Sequence, residues 1–144
     1  MDKPSRFNIR VYGLFLHEGK VLVNEELIKG QRVIKFPGGG LDLGEGIKDC
    51  LVREWKEELG LDIDVLEHFY TNDFYQPSAF DNSQVISMYY RVTSDNVPGE
   101  IVNLVEQERS YWVSLSEVTA AMFTLPIDRR VGDMLRQAWI GGGL

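Results

Sequence analysis

One segment constrains this chain more than any other: a glycine-rich stretch that runs straight into an unbroken helical one. Pro37-Gly38-Gly39-Gly40 opens a run to Gly46 that holds five glycines in ten residues. Glycine tolerates positive φ and lets other groups approach the backbone closely, so the run reads as an irregular loop. Ile47–Leu59 then contains no Gly or Pro, and Gly60 stands in the position of a helix C-cap. The spacing predicts a helix over 47–59 entered from a glycine loop.

Around it, strands and helices alternate. Residues 7–16 are rich in branched and aromatic side chains, His17-Glu18-Gly19-Lys20 follows, and Val21-Leu22-Val23 resumes the apolar pattern. This predicts two strands joined by a Glu-Gly hairpin turn. Gly30 ends a polar stretch. Further strands are predicted at 33–36, 63–70, 84–93 and 111–113, with loops at 72–83 and 94–99 and a short helix at 116–123. Pro126 opens a last helix, with Ile127, Val131, Leu135, Ala138 and Trp139 at helical spacing, and 141–144 is expected to fray. No repeat or linker divides the chain. The expectation is one domain over 1–144, of α/β or α+β class with a mixed sheet.

Composition narrows the chemistry. Fifteen Lys+Arg against 22 Asp+Glu give a formal net charge of −7 over 144 residues, with a sequence pI near 4.8. Duplex nucleic acid is bound through a basic face that releases counterions, so such a partner is not expected. The single cysteine, Cys50, excludes an intrachain disulfide and a Cys-rich zinc cage, and suits a reducing, cytoplasmic setting. No uncharged apolar run nears the ~20 residues of a membrane span. Asn8 and Arg10 interrupt the apolar residues from which a signal-peptide core would be built.

On a helical wheel of about 100° per residue, 47–59 splits into three arcs. Leu51, Val52, Trp55 and Leu59 form an apolar face for burial, Asp49, Arg53 and Lys56 a solvated one, and Glu54, Glu57 and Glu58 gather on a third. Like charges at these offsets repel by roughly 0.2–0.5 kcal/mol a pair. Acids near a helix C-terminus also face the negative end of the dipole, at about 0.3–1 kcal/mol each. Selection for stability alone would place lysines there. A hard divalent cation such as Mg²⁺ turns the repulsion into a site, because it takes carboxylate oxygens and keeps positions for water and phosphate. A solvated acidic face is the other reading of a bare Glu-x-x-Glu-Glu.

The wider spacing is more specific. Gly39, five residues, Glu45, seven residues, then Arg53-Glu54-Trp55-Lys56-Glu57-Glu58-Leu59-Gly60-Leu61 resembles the Nudix hydrolase signature across its whole 23-residue span. Trp55 departs from it, standing where the family usually has a smaller aliphatic residue. Residues 7–23 are similar to the family's opening hairpin, Phe36-Pro37-Gly38-Gly39-Gly40 to its loop entry, and Trp112-Val113 with Ser116-Glu117-Val118 to its late strand and short helix. The resemblance implies a Nudix-type α/β/α sandwich with a mixed β-sheet between helices. It also implies a pyrophosphohydrolase dependent on Mg²⁺ (or Mn²⁺) that cleaves the diphosphate of a small nucleoside diphosphate derivative, ADP-ribose or nucleotide-sugar-like. The products would be a nucleoside monophosphate and a phosphorylated remainder. The alternatives are a MutT-type nucleoside triphosphate pyrophosphohydrolase and a non-catalytic nucleotide-sensing domain. An RNA-end processing enzyme would need a positive strip near Arg129-Arg130. A homodimer is a family-level expectation.

Residue by residue, the resemblance makes Glu54, Glu57 and Glu58 metal ligands, joined by the backbone carbonyl of Gly39. Glu54 is the best of the three for water activation. Arg53 holds the acids in shape, with Glu45 as its partner across the loop–helix junction, and Gly60 ends the helix. A further acid from outside the box is expected as base or ligand. Glu106 and Glu108 precede Tyr111-Trp112, and Glu108 is preferred. The catalytic candidates are thus Arg53, Glu54, Glu57 and Glu108. His17, His68 and Cys50 are read as structural. For the substrate, Phe74, Tyr75 and Phe80 in the 71–83 loop are candidates for stacking on a flat ring, and Arg91 for meeting a phosphate. Family members acting on ADP-ribose often carry a proline about 16 residues past the box, and Pro77 lies 16 residues past Leu61. The family's reduced-dinucleotide pattern is matched only by Gln76-Pro77.

Overall fold

The computed structural model describes residues 3–144; Met1 and Asp2 lie outside the described residues. Strand β1 (Arg6–His17) is its axis. Tyr12 and Leu14 face one side and Val11 and Phe15 the other, none more than 5% exposed, as a strand covered on both faces demands. It runs parallel to β6 (Ser83–Thr93) from Arg6↔Ser83 to Phe15↔Val92, and antiparallel to β2 (Lys20–Ile28) at Leu16↔Val21. The strand order is β3-β2-β1-β6-β5, with β3 at Gln31–Lys35 and β5 at Asp64–Thr71. Strand β4 (Gly38–Gly40) pairs with β1, and β7 (Glu108–Ser114) with β2. The sheet is mixed, as expected.

Helix α1 (Ile47–Leu59) covers one face through Cys50, Leu51, Trp55 and Leu59, which pack with Val11, Phe15 and Leu22. Helix α2 (Pro126–Ile140) covers the other through Ile127, Val131 and Leu135, against Tyr12, Leu14, Val21 and Val23. Two cores back to back make the α/β/α sandwich. No helix among the described residues is long and apolar enough to cross a membrane.

Helix α1 has the predicted bounds, and Gly60 caps it in the left-handed conformation at φ 66°. The Glu18-Gly19 turn has φ 49° and 74°, the paired positive values of a two-residue hairpin. Five expectations need correction. Lys29-Gly30 is a second such turn, with φ 50° and 78°, so the polar stretch before Gly30 is the end of β2. Gly38–Gly40 is a strand rather than a loop, registered as Val11↔Gly39, because a side chain on Gly38 would strike the Val11 carbonyl. The expected helix at 116–123 shrinks to one 3-10 turn, Ala120–Met122. Val52, assigned to the buried arc, is 39% exposed and Cys50 is buried in its stead. The tail at 141–144, expected to fray, is held instead: the Gly142 and Gly143 amides donate to the Trp139 and Ala138 carbonyls, and Leu144 packs against the α2 core.

Trp55 is accommodated by an absence. A Cβ on Gly13 would lie 2.6 Å from the Trp55 ring, and the indole N–H donates to the Pro37 carbonyl at 3.2 Å. Gly13→Ala is expected to cost about 1–3 kcal/mol with Trp55 present and under about 0.5 kcal/mol in a Trp55→Leu background. Urea denaturation of the four proteins reads this, and equal costs in both backgrounds would contradict the pairing.

Candidate active site

Arg53 is the hub of the loop–helix junction. It leaves the solvated arc on which helical spacing puts it, and its side chain is 29% exposed. Its Nε donates to Glu45 Oε2 at 2.9 Å and its Nη2 to Oε1 at 2.7 Å, a bidentate fork. Nη2 also donates to the Gly40 carbonyl at 3.2 Å and lies 3.3 Å from Asp42. Nη1 donates to Glu54 at 3.0 Å and Glu57 at 3.2 Å. The Arg53 fork, with the Asp42 amide, holds the Glu45 carboxyl down at about 2.

The three helix acids differ in setting. Glu54 is 14% exposed and lies on β4, where any side chain on Gly39 would run into its carboxylate. Glu57 reaches Arg53 from solvent, 58% exposed. Glu58 is half-buried, and burial followed by the charge of Glu108 pushes its carboxyl up to about 8, against the pull of Lys35.

Glu108 arrives from another strand. The β2–β7 register sets it directly opposite Glu26, a like-charge pair that destabilises a sheet. Burial, then the Glu26 charge, raises the Glu108 carboxyl, and both of its oxygens are buried without a hydrogen-bond partner. Glu25, the neighbour of Glu26 on β2, is 7% exposed and fully compensated, by Arg32 at 2.7 Å and Arg109 at 3.1 Å. Among the described residues, Glu26 has one ammonium beside it, Lys35, 3% exposed and 3.4 Å away. Glu106 is exposed.

This donor set fits a divalent cation. The donors are all oxygens, Glu108 has no partner, and the acids outnumber Arg53 and Lys35; a hard cation relieves such an excess. No three such side chains among the described residues yet converge in a ligating geometry. Arg53 spans Glu54 and Glu57, so closing the set takes side-chain rotation, which the exposure of Glu57 allows.

A cavity of about 320 Å³ shares Glu26 with this acidic group, while Glu54, Glu57, Glu58 and Glu108 lie off its lining. Arg10, Tyr12, Glu26 and Lys35 stand on its sheet wall, and Asp128 comes from the first turn of α2. The Val85 amide donates to Gln76 at 2.8 Å and the Ser78 amide to Ser83 at 2.9 Å, so 76–83 folds back on β6 and closes the cavity. That fold-back brings Pro77 and Phe80 to the cavity and leaves Phe74 and Tyr75 off its lining, 39% and 56% exposed. Arg91 is off it too, paired with Glu67 at 2.9 Å. The structure therefore does not bring Phe74, Tyr75 or Arg91 to the site.

His17 lies 3.7 Å from Glu18, and His68 Nε2 2.7 Å from the Thr71 hydroxyl. Cys50 is buried with its thiol on the Gly40 carbonyl at 3.4 Å, and burial pushes it up to about 12, which removes it as a nucleophile. Arg129 donates to the Phe123 carbonyl at 2.8 Å and Arg130 lies over the Tyr70 ring.

A family model described as the NUDIX domain matches residues 5–133. The chain belongs to the Nudix family. It is 31% identical over 119 residues to Nucleoside diphosphate-linked moiety X motif 6 of Mus musculus, covering 81% of this chain and 37% of that protein. It is 31% identical over 99 residues to NAD(P)H pyrophosphatase NUDT13, mitochondrial, of Mus musculus, covering 69% of this chain and 25% of that one. The chain thus spans well under half the length of these two relatives. Among solved structures, a NUDIX hydrolase from Nitrosomonas europaea superposes with a TM-score of 0.73 at 20% identity, over 95% of this chain and 90% of that one.

Several residues of this candidate site escape sequence reasoning. Glu26 and Lys35 join it through strand register, which no local pattern announces. Asp128 is 2% exposed and accepts from the Tyr89 hydroxyl at 2.7 Å; burial raises its carboxyl to about 6, against the pull of that bond. An acid interrupting the apolar spacing of α2 is its one sequence signal.

The raised carboxyls predict an inverted pH dependence. Glu58 holds its proton up to about 8 when folded, so the unfolded chain loses that proton first. Its contribution to stability is full below the ordinary carboxylate range and is lost as pH rises towards about 8; Asp128 and Glu108 act in the same direction. Urea unfolding in EDTA should show stability declining from about pH 5 to about pH 8, with Glu58→Gln flattening the upper part. A wild-type curve that climbs through that interval would contradict the burial of these acids.

Proposed function

We propose that the chain hydrolyses the diphosphate linkage of a small nucleoside diphosphate derivative, ADP-ribose or nucleotide-sugar-like, using Mg²⁺ or Mn²⁺. The observation that carries this is Glu108. Its buried, unpartnered carboxylate raises Glu58 and faces Glu26, which also lines a cavity large enough for part of a nucleotide. Glu54, Glu57, Glu58 and Glu108, with the Gly39 carbonyl, would hold the cation. When bound, it supplies positive charge to the phosphoryl oxygens and makes water more acidic.

The chain's own groups do the rest. Glu54 orients the attacking water and takes its proton as the water oxygen bonds to phosphorus. The bridging P–O bond breaks, and the second phosphate departs with that oxygen. Gly39 and Arg53 fix Glu54 for this task, and Glu45 fixes Arg53 in turn. Pro77 on the cavity wall and the naming of one relative as an NAD(P)H pyrophosphatase support a diphosphate-linked substrate over a triphosphate.

Mg²⁺ or Mn²⁺ is expected to raise the melting temperature, and Glu57→Gln or Glu58→Gln to remove most of the rise; no rise in the wild type would sink the cation. A panel of ADP-ribose, nucleotide sugars, nucleoside triphosphates and diadenosine polyphosphates should release a nucleoside monophosphate from a diphosphate-linked member. Glu54→Gln should lower kcat by about 10²–10⁴-fold. Tight binding of a panel member with no turnover would make this a nucleotide-sensing domain.

A further inference from the structure

Two cations flank one aromatic ring on the cavity wall. The Arg10 guanidinium carbon and Lys35 Nζ each lie 5.8 Å from the Tyr12 ring centroid, and both side chains line the cavity. Lys35 is 3% exposed and has a carboxylate, Glu26, at 3.4 Å. Arg10 differs. Its Nε donates to the Tyr12 hydroxyl at 3.1 Å, and no ion pair within 4 Å satisfies its charge among the described residues. Its Nη1 lies 3.4 Å from the position a Cβ would take on Gly40, one residue from the glycine that packs on Glu54. The acids that act on it from a distance are Glu54 and Glu26.

We infer that Arg10, backed by Lys35, is the anion clamp of this cavity and holds the phosphate of the moiety lodged there. The inference rests on the hydrolase reading and adds to it a binding polarity. A half-buried guanidinium without a carboxylate is costly until an anion arrives. Its planar fork matches two oxygens of one phosphate, which a point charge does not. Arg10 lines the cavity beside Gly40, one residue from the Gly39–Glu54 contact, so the phosphate it holds belongs to the part under the 76–81 loop, and the other phosphate falls to the carboxylates. Arg10 thereby decides which phosphorus is presented to the water.

The test is binding without metal. Calorimetry in EDTA compares AMP, GMP, CMP and UMP with their nucleosides on the full chain. At least one monophosphate is expected to bind about tenfold or more tighter than its nucleoside, with Arg10→Gln reducing that preference to within about twofold. Arg10→Lys should recover part of it, since it restores charge without the fork. No phosphate preference in the wild type, or an undiminished one in an Arg10→Gln protein that keeps its metal-induced thermal shift, overturns the inference. If Arg10→Gln does not fold, Arg10→Lys decides: a reduced preference supports the clamp and an unchanged one overturns it. Hydrolysis by the wild type is scored separately. Cleavage without phosphate preference sinks the clamp alone, and phosphate preference without cleavage sinks the hydrolase reading alone.

Discussion

The Arg53–Glu45 fork joins the glycine loop to the acidic end of α1, and the carboxylates of the site keep their places through it. One guanidinium contacts Glu45, Asp42, the Gly40 carbonyl, Glu54 and Glu57. Five partners leave it little freedom, so Glu54 is held where Gly39 leaves room for it. Burial of Trp55 against Gly13 sets the depth of α1 over the sheet, and its indole bond to Pro37 ties the helix to the start of β4. The loop, the helix and β1 thus position the acids together.

On this scaffold the charge is arranged unevenly. Glu25 is paid for twice over by arginines, while Glu108, on the facing strand, has buried oxygens with no partner. Compensation was therefore available in this sheet and is withheld at one place. Across the wall, Arg10 has the reverse imbalance, a cation with no carboxylate within 4 Å among the described residues. On the proposed reading, acids short of positive charge and a cation short of negative charge serve a polyanion carried with a divalent ion. A chain with net charge −7 would hold phosphate in this way.

Helix α1 was legible to the residue because its signals are local: an unbroken stretch and a capping glycine. The Glu45–Arg53 junction was legible only through the family spacing, since nothing in a helical wheel turns Arg53 away from solvent. Strand β4 was hidden because three glycines carry no side-chain pattern, and their strand character comes from β1. Glu26, Lys35 and Asp128 were hidden for a different reason. Polar residues in short elements look solvated until register or packing buries them. The direction of the 72–83 loop depends on its hydrogen bonds to β6, which place Phe80 rather than Phe74 or Tyr75 over the cavity.

On the proposed reading, carboxyls held protonated first by burial and then by neighbouring acids exchange a proton for a divalent cation. Titrating Mn²⁺ into the chain near neutral pH, by calorimetry in buffers of differing ionisation enthalpy, counts the protons released directly. Because the folded Glu58 carboxyl sits at about 8, binding should release on the order of one proton per chain, and Glu58→Gln should release markedly fewer. Mn²⁺ binding with no proton release, or no binding at all, would contradict the account.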